Sequence, residues 1–214
     1  MACQRIGHGG ASAIERANTL ASFDAARGVG VDAIEFDVRE YHGELVLAHT
    51  PLSARYGACV RLREALRHLA GAAFEGIELH LDVKHAGCEQ GVLEALREHR
   101  LAARTIVCSQ VPAVLDGFRS RSGEVRVGIS VGGRLARLSQ RWTDWRTTVL
   151  HGLATRRWDA LFAQHRLVDS GLVAAVSDSG GSLYAWTVNE RTRIEALQGL
   201  GVHGITTADP RLFG

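Results

Sequence analysis

Leu79-His80-Leu81-Asp82-Val83-Lys84-His85 alternates apolar and polar residues with the period of a β-strand, so His80, Asp82 and Lys84 fall on one side. Polar groups inside a sheet covered on both faces are costly to desolvate, so a carboxylate and an ammonium at a strand end call for a chemical explanation. Lys84 is the only lysine of this 214-residue chain; every other member of its 25 Lys+Arg residues is arginine. An ammonium is a point charge that can approach one phosphate oxygen or carboxylate closely, a role that a planar guanidinium does not reproduce. A chance survivor at a strand end is the plain alternative.

Working outward, the same signature recurs. Short apolar runs fall at 3–8, 33–38, 77–83, 105–109, 125–131, 160–163, 183–188 and 204–206, and helical patterns at 19–28, 62–70, 89–100, 113–120, 134–151, 168–179 and 191–200 separate most of them. About eight strand-helix units predict a compact α/β TIM (β/α)8 barrel, with catalytic groups at the carboxyl ends of the strands. The chain is read as one domain over residues 1–214, near the lower size limit of that fold. An open doubly wound sheet is the competing arrangement, and the absence of a Gly-x-Gly-x-x-Gly turn after the first strand speaks against it.

Composition narrows the function classes. With 46% hydrophobic and 22% charged residues, the chain has material for a real core. A net charge of +2, with arginines interspersed among Asp and Glu, gives no nucleic-acid footprint. Neither a signal peptide nor a run of roughly 18 apolar residues is visible, so a cytoplasmic protein without a transmembrane segment is expected. Cys3, Cys59, Cys88 and Cys108 lack any Cys-x-x-Cys spacing, and read as free thiols, not a zinc site or a disulfide framework. Ser109 and Ser130 end strands outside any Gly-x-Ser-x-Gly turn, which removes serine-hydrolase chemistry.

Three strand ends and one extended segment carry the polar constellation. The first strand ends at His8, and the second, Ile34-Glu35-Phe36-Asp37-Val38, places Glu35 and Asp37 on one face as Asp82 and Lys84 are on theirs. Three carboxylates beside one ammonium in a nearly dry pocket would need a further cation to stay ionised. Oxygen ligands from Glu35, Asp37 and Asp82 suit Mg²⁺ or Ca²⁺ better than zinc. A salt-bridge cluster tied to Lys84 is the other reading of the same spacing. His8 and His49, the latter in the extended segment Leu45-Val46-Leu47-Ala48-His49, are candidates for acid and base on either side of a phosphate. His80 and His85 are rivals by position, but His80 lies deeper and reads as a hydrogen-bonded core residue.

The order of these residues resembles the glycerophosphodiester phosphodiesterase family. His8-Gly9-Gly10, Asn18-Thr19, Ile34-Glu35-Phe36-Asp37-Val38, His49 and Asp82-Val83-Lys84 are similar to its His-Arg-Gly, Glu-Asn-Thr, Ile-Glu-x-Asp-Val, His-Asp and Glu-x-Lys. Trp186-Thr187-Val188-Asn189 and Gly201-Val202-His203-Gly204-Ile205-Thr206-Thr207-Ala208-Asp209-Pro210 resemble its closing segments. The resemblance implies a TIM barrel and a divalent cation held at Glu35, Asp37 and Asp82. It implies paired histidines, His8 and His49, and a lysine beside the phosphate, Lys84. It further implies attack on phosphorus by a glycerol hydroxyl, one histidine taking the proton and the other protonating the departing alcohol, then hydrolysis of a cyclic phosphate. The substrate would be a small-molecule glycerophosphodiester, cleaved to glycerol phosphate and an alcohol.

Three positions depart from the family pattern: Gly9 stands for its arginine, Ala17 for its glutamate and Thr50 for its second aspartate. Arg16 or Arg5 is the candidate replacement for the missing cation, and loss of the arginine and glutamate together reads as removal of one ion pair as a unit. The 49–61 segment is short where the family carries a cap over the glycerol end, which predicts a more open mouth and a broader or different alcohol on one side of the phosphodiester. A barrel that binds phosphodiesters without cleaving them, and a phospholipase-D-like activity on lysophospholipids, are the alternatives. A Schiff-base lyase using Lys84 is disfavoured, since neighbouring carboxylates keep its amine protonated. Trp186, with Asn189, is a candidate for the substrate pocket, against a glycerol or choline group, and core packing is the other reading of the same position. Arg141-Trp142-Thr143-Asp144-Trp145-Arg146 reads as a packed helix, with Trp142 and Trp145 on one face, or as an exposed patch used in homo-oligomer contact or as a lid.

Overall fold

The computed structural model describes residues 3–132 and 141–214 and, over 141–144, the backbone alone. Nine strands run in the order β1 (Gln4–His8), β2 (Ala33–Tyr41), β3 (Glu44–Leu47), β4 (Glu78–Val83), β5 (Thr105–Ser109), β6 (Arg126–Val131), β7 (Ala160–Gln164), β8 (Ser182–Trp186) and β9 (Gly204–Thr207) among the described residues. Eight of them, all but β3, form a parallel sheet that closes when β1 pairs with both β2 and β9. The expected TIM barrel is therefore the observed one. Its helices are α1 (Leu20–Val29), α2 (Pro51–Tyr56), α3 (Leu62–Leu69), α4 (Glu89–Glu98), α5 (Pro112–Arg121), α6 (Arg141–Ala154), α7 (Ser170–Asp178) and α8 (Arg191–Leu200). The unit after β9 ends in a single 3₁₀ turn, Pro210–Phe213, which keeps the barrel short.

Local sequence explains where these elements begin and end. Thr19 and Ser22 form a reciprocal capping box at the start of α1, and Gly30, at φ 86°, closes it in the left-handed conformation. Pro112 opens α5 at a position where its missing N–H costs nothing, and Asp169 caps α7. The helices bury leucine, valine and phenylalanine against the outside of the sheet in one large core.

The barrel interior is packed separately and differently along its length. Ile6, Ala33, Ile106, Cys108, Ala160, Phe162 and Tyr184 fill it. Phe162 and Tyr184 stack at 4.7 Å, with His80 edge-on to both. Gly128 makes room for that layer, since a Cβ there would stand 2.5 Å from the Phe162 ring. This aromatic plug leaves the carboxyl end of the barrel as the place for a cavity.

Two features add to the sequence expectations. β2 continues to Tyr41 and turns through His42 and Gly43, both at positive φ, so that the segment before His49 returns as β3, antiparallel to β2. The segment after His49 is not bare loop: Thr50 caps α2, its hydroxyl accepting from the Ser53 N–H at 3.0 Å. The 134–140 part of the expected helix and the Trp142 side chain lie outside the described residues. Trp145 is half-buried on α6 and packs against the main core. All four cysteines are free, and no helix among the described residues is long and apolar enough to cross a membrane.

Candidate active site

Adjacent parallel strands bring the acidic residues together. Register pairs His8 of β1 with Glu35 of β2, and Asp37 of β2 with Asp82 of β4. One carboxylate oxygen from each of Glu35, Asp37 and Asp82 lies within 4.8 Å of the others. Lys84, just past β4, reaches back between them, its Nζ 2.5 Å from both Asp37 Oδ1 and Asp82 Oδ2. The antiparallel return of β3 delivers His49 to the same rim, where its Nδ1 lies 3.1 Å from Asp37 Oδ1. His8 Nε2 stands 3.9 Å from Glu35 Oε2.

Backbone and neutral side chains fix the carboxylates from behind. The Gly9 N–H donates to Glu35 Oε2 at 2.9 Å. Asn18 donates through Nδ2 to Asp37 Oδ2 at 2.8 Å and accepts from the Asp37 N–H at 3.0 Å. Asn18 is a supporting residue that the sequence reading quoted only as part of a motif. Its φ of 61°, tolerated by Asn, is what turns the amide toward β2.

The electrostatics show a shortage of positive charge. Burial, then the neighbouring Asp37 and Asp82, push the Glu35 carboxyl well above its ordinary range. Burial raises Asp82 too, although Lys84 opposes it. Asp37 also feels burial, but the hydrogen bond from His49 and the Lys84 ammonium outweigh it and hold the carboxyl well below the usual range. Burial alone would lower Lys84; Asp82, Asp37 and Glu35 together hold it above its ordinary value. His8 is lowered, chiefly by burial, and His49 is raised, chiefly by its hydrogen bond with Asp37. One ammonium does not neutralise three converging carboxylates, and an all-oxygen donor set fits a hard divalent cation such as Mg²⁺ or Ca²⁺.

These residues open onto a cavity of about 270 Å³, whose wall includes Gln110, Ser130, Phe162 and Trp186, with the buried Cys108 thiol also in its lining. Trp186 thus lines the cavity. Asn189 is not among the lining residues; its Oδ1 accepts from Thr207 Oγ1 at 3.2 Å and from the Ala208 N–H at 3.0 Å, bracing the loop after β9. Arg16 does not line it either: it is exposed, and its guanidinium lies beside Gly57 at the end of α2. Arg5 sits at the opposite rim, bonded twice to Asp32 at 3.0 Å, and cannot reach in. Lys84 is the only Lys or Arg lining the cavity among the described residues. His80 is buried against Glu78 at 2.7 Å, and His85 accepts from the Glu40 N–H, so neither rival histidine faces the cavity.

The three departures now have a spatial reading. Gly9 has φ 57°, and a Cβ on it would stand 2.9 Å from Ala17 Cβ, so two of the three residues that differ from the family pattern are close neighbours. Thr50 is committed to capping α2.

Comparison with known proteins agrees with this architecture. The sequence profile of the "Glycerophosphoryl diester phosphodiesterase family" matches residues 77–212, a span that includes Asp82 and Lys84 and begins after His8, Glu35, Asp37 and His49. A provisionally named glycerophosphodiester phosphodiesterase, YhdW of Bacillus subtilis (strain 168), is 24% identical over 236 residues, covering 96% of this chain and 94% of the relative. The structure of a provisionally named glycerophosphoryl diester phosphodiesterase from Silicibacter pomeroyi DSS-3 superposes with TM-score 0.82 at 22% identity, covering 99% of this chain and 92% of that one. An Oleispira antarctica phosphodiesterase in complex with its product sn-glycerol-3-phosphate gives TM-score 0.75 at 20% identity, covering 98% and 94%. At these identities the structural likeness speaks for the fold.

Proposed function

This chain belongs to the glycerophosphoryl diester phosphodiesterase family, and from that premise we propose that it is a divalent-cation-dependent enzyme that cleaves glycerol-linked phosphodiesters to glycerol phosphate and an alcohol. The observation that carries the reading is the convergence of Glu35, Asp37 and Asp82 around a charge deficit, with Lys84 and two imidazoles at the same mouth. Read as one barrel domain over residues 1–214, the chain gathers its three carboxylates, Lys84 and both imidazoles at a single mouth. Four free thiols suit a cytoplasmic setting.

Glu35, Asp37 and Asp82 would hold the cation, which when bound supplies concentrated positive charge against the phosphate oxygens. Asn18 and the Gly9 N–H keep two of those carboxylates oriented. Lys84 adds a cation that its carboxylate partners keep protonated against the opposing effect of burial, so it stabilises charge on the phosphate oxygens and does not act as a nucleophile. His49 is anchored through Nδ1 by Asp37, which leaves Nε2 for proton transfer. His8, on the neighbouring strand, completes the pair: one imidazole takes the proton of the attacking hydroxyl and the other protonates the departing alcohol. Trp186 and Phe162 exclude water from one wall.

Turnover of glycerophosphocholine should vanish on dialysis against chelator and return with Mg²⁺, Ca²⁺ or Mn²⁺. Activity indifferent to chelator would remove the cation from the proposal. Tight product binding with turnover no higher than that of Lys84→Ala would instead identify a binding barrel. Six-residue α2 is all the helix that the 49–61 segment supplies, so a bulky alcohol has room above the cavity. Lysophospholipid turnover comparable to that of glycerophosphocholine is the matching outcome, and strict preference for the small substrate would contradict it.

A further inference from the structure

Helix α2 is turned inside out. Its buried residue is Ala54, whereas Leu52 and Tyr56, four apart and therefore on one face, are 68% and 72% exposed. Among the described residues the other large apolar side chains exposed to this class are Ile14 and Val111. All four lie on segments that leave the carboxyl ends of β1, β3 and β5, the rim of the candidate active site. The Ile14 loop is tied across that rim by the Ala13 N–H donating to Ala208 O at 2.9 Å. Scattered apolar residues on a surface are ordinary, but a large apolar pair on one helix face beside a catalytic mouth marks a contact surface.

The charges beside the pair say what it contacts. Arg55 lies over the Tyr56 ring at 5.1 Å, and Arg16 is exposed next to Gly57, where α2 ends. Neither guanidinium has an ion-pair partner among the described residues. Aliphatic and aromatic side chains interleaved with unpaired arginines match a surface that is apolar below and anionic above. A second copy of the chain seated on this rim would close the mouth that α2 overhangs. A bilayer would instead face the mouth with phosphodiester headgroups, the chemical class its residues address.

We propose that the rim formed by Leu52, Tyr56, Ile14, Arg16 and Arg55 docks reversibly on an anionic lipid bilayer. Leu52 and Tyr56 enter the headgroup boundary while Arg16 and Arg55 meet lipid phosphates, and the cavity opens toward the membrane plane.

The test is co-sedimentation of the full chain with vesicles of phosphatidylcholine and phosphatidylglycerol, and with vesicles of phosphatidylcholine alone. The full chain should sediment with the anionic vesicles and less so as salt rises. Leu52→Ser combined with Tyr56→Ser should weaken binding by roughly tenfold or more, and Arg55→Gln by roughly fivefold. Because these side chains are exposed and outside the cavity lining, turnover of soluble glycerophosphocholine without vesicles should match the parent, so docking and hydrolysis can fail separately. No sedimentation with anionic vesicles, or equal sedimentation of the double variant, would overturn the proposal. So would a dimer of the parent by light scattering that the double variant converts to monomer, which would assign the rim to a second copy.

Discussion

Replacing Lys84 by methionine keeps most of the apolar stem and removes one charge from the centre of the site. In the parent its ammonium is 2.5 Å from both Asp37 and Asp82 and only 13% exposed, so solvent screens the pair weakly. Removing one partner of a buried ion pair typically costs about 3–5 kcal/mol, and the lower figure applies here because a freed carboxyl can take up a proton. For a domain of this size, about 3 kcal/mol lowers the melting temperature by roughly 6–12 °C. The sign with pH follows from Asp37, whose folded-state pKa is depressed. Its stabilisation is present above the unfolded value near ~4 and is lost as pH falls through the folded value. Lys84→Met removes part of that depression, so the melting difference should be widest near neutral pH and narrow toward acid. Added Mg²⁺ should recover part of the loss by supplying charge to the same oxygens. Turnover should fall by about a hundredfold or more. Calorimetry of the chelated protein between acid and neutral pH, with rates on glycerophosphocholine, checks both limbs. A melting difference within a degree or two at neutral pH, or one that widens toward acid, would refute the electrostatic account of the cluster.

Asn18→Gly keeps the positive φ but deletes both hydrogen bonds to Asp37; it should weaken divalent-cation affinity by about 10–100-fold, measured by calorimetric titration, and unchanged affinity would reduce Asn18 to a loop residue. Asp32→Asn breaks the paired bonds to Arg5 at the far rim, where both side chains are about two-fifths exposed. The loss should be only about 0.5–1 kcal/mol at neutral pH after solvent screening. The hydrogen bond from Arg5 depresses the Asp32 pKa, so this contribution is present above the unfolded value and disappears as pH falls through the folded one. Denaturant melts at neutral and strongly acidic pH should show that convergence, with turnover on glycerophosphocholine unaltered.

The barrel was legible in the sequence because strand and helix periods alternate about eight times, and period is a local property. The strand ends were legible for the same reason: a carboxylate or ammonium inside an apolar run stands out without knowledge of its neighbours. Asn18 was less visible, because nothing in Ala17-Asn18-Thr19 indicates that its amide will reach Asp37 nineteen residues on. Helix α2 was missed because six residues are too few for a periodic signal, although Thr50-Pro51 with Ser53 is in hindsight a helix start. Arg5, Arg16 and Asn189 show the converse: their residue types suited a substrate site, but the closed barrel put Arg5 at the other end, Arg16 outside the cavity and Asn189 in a loop brace.

Sequence by itself therefore determined which side chains share a strand face and which strands carry charge at their ends. Closure of the sheet decided the rest. Placing β2 beside β4 set the oxygens of Glu35, Asp37 and Asp82 within 4.8 Å, pairing β1 with β2 brought His8 to Glu35, and the return of β3 brought His49 to Asp37. Periodicity fixes direction along one strand, whereas the charge balance of the site depends on distances between strands, and those exist only once the barrel has closed.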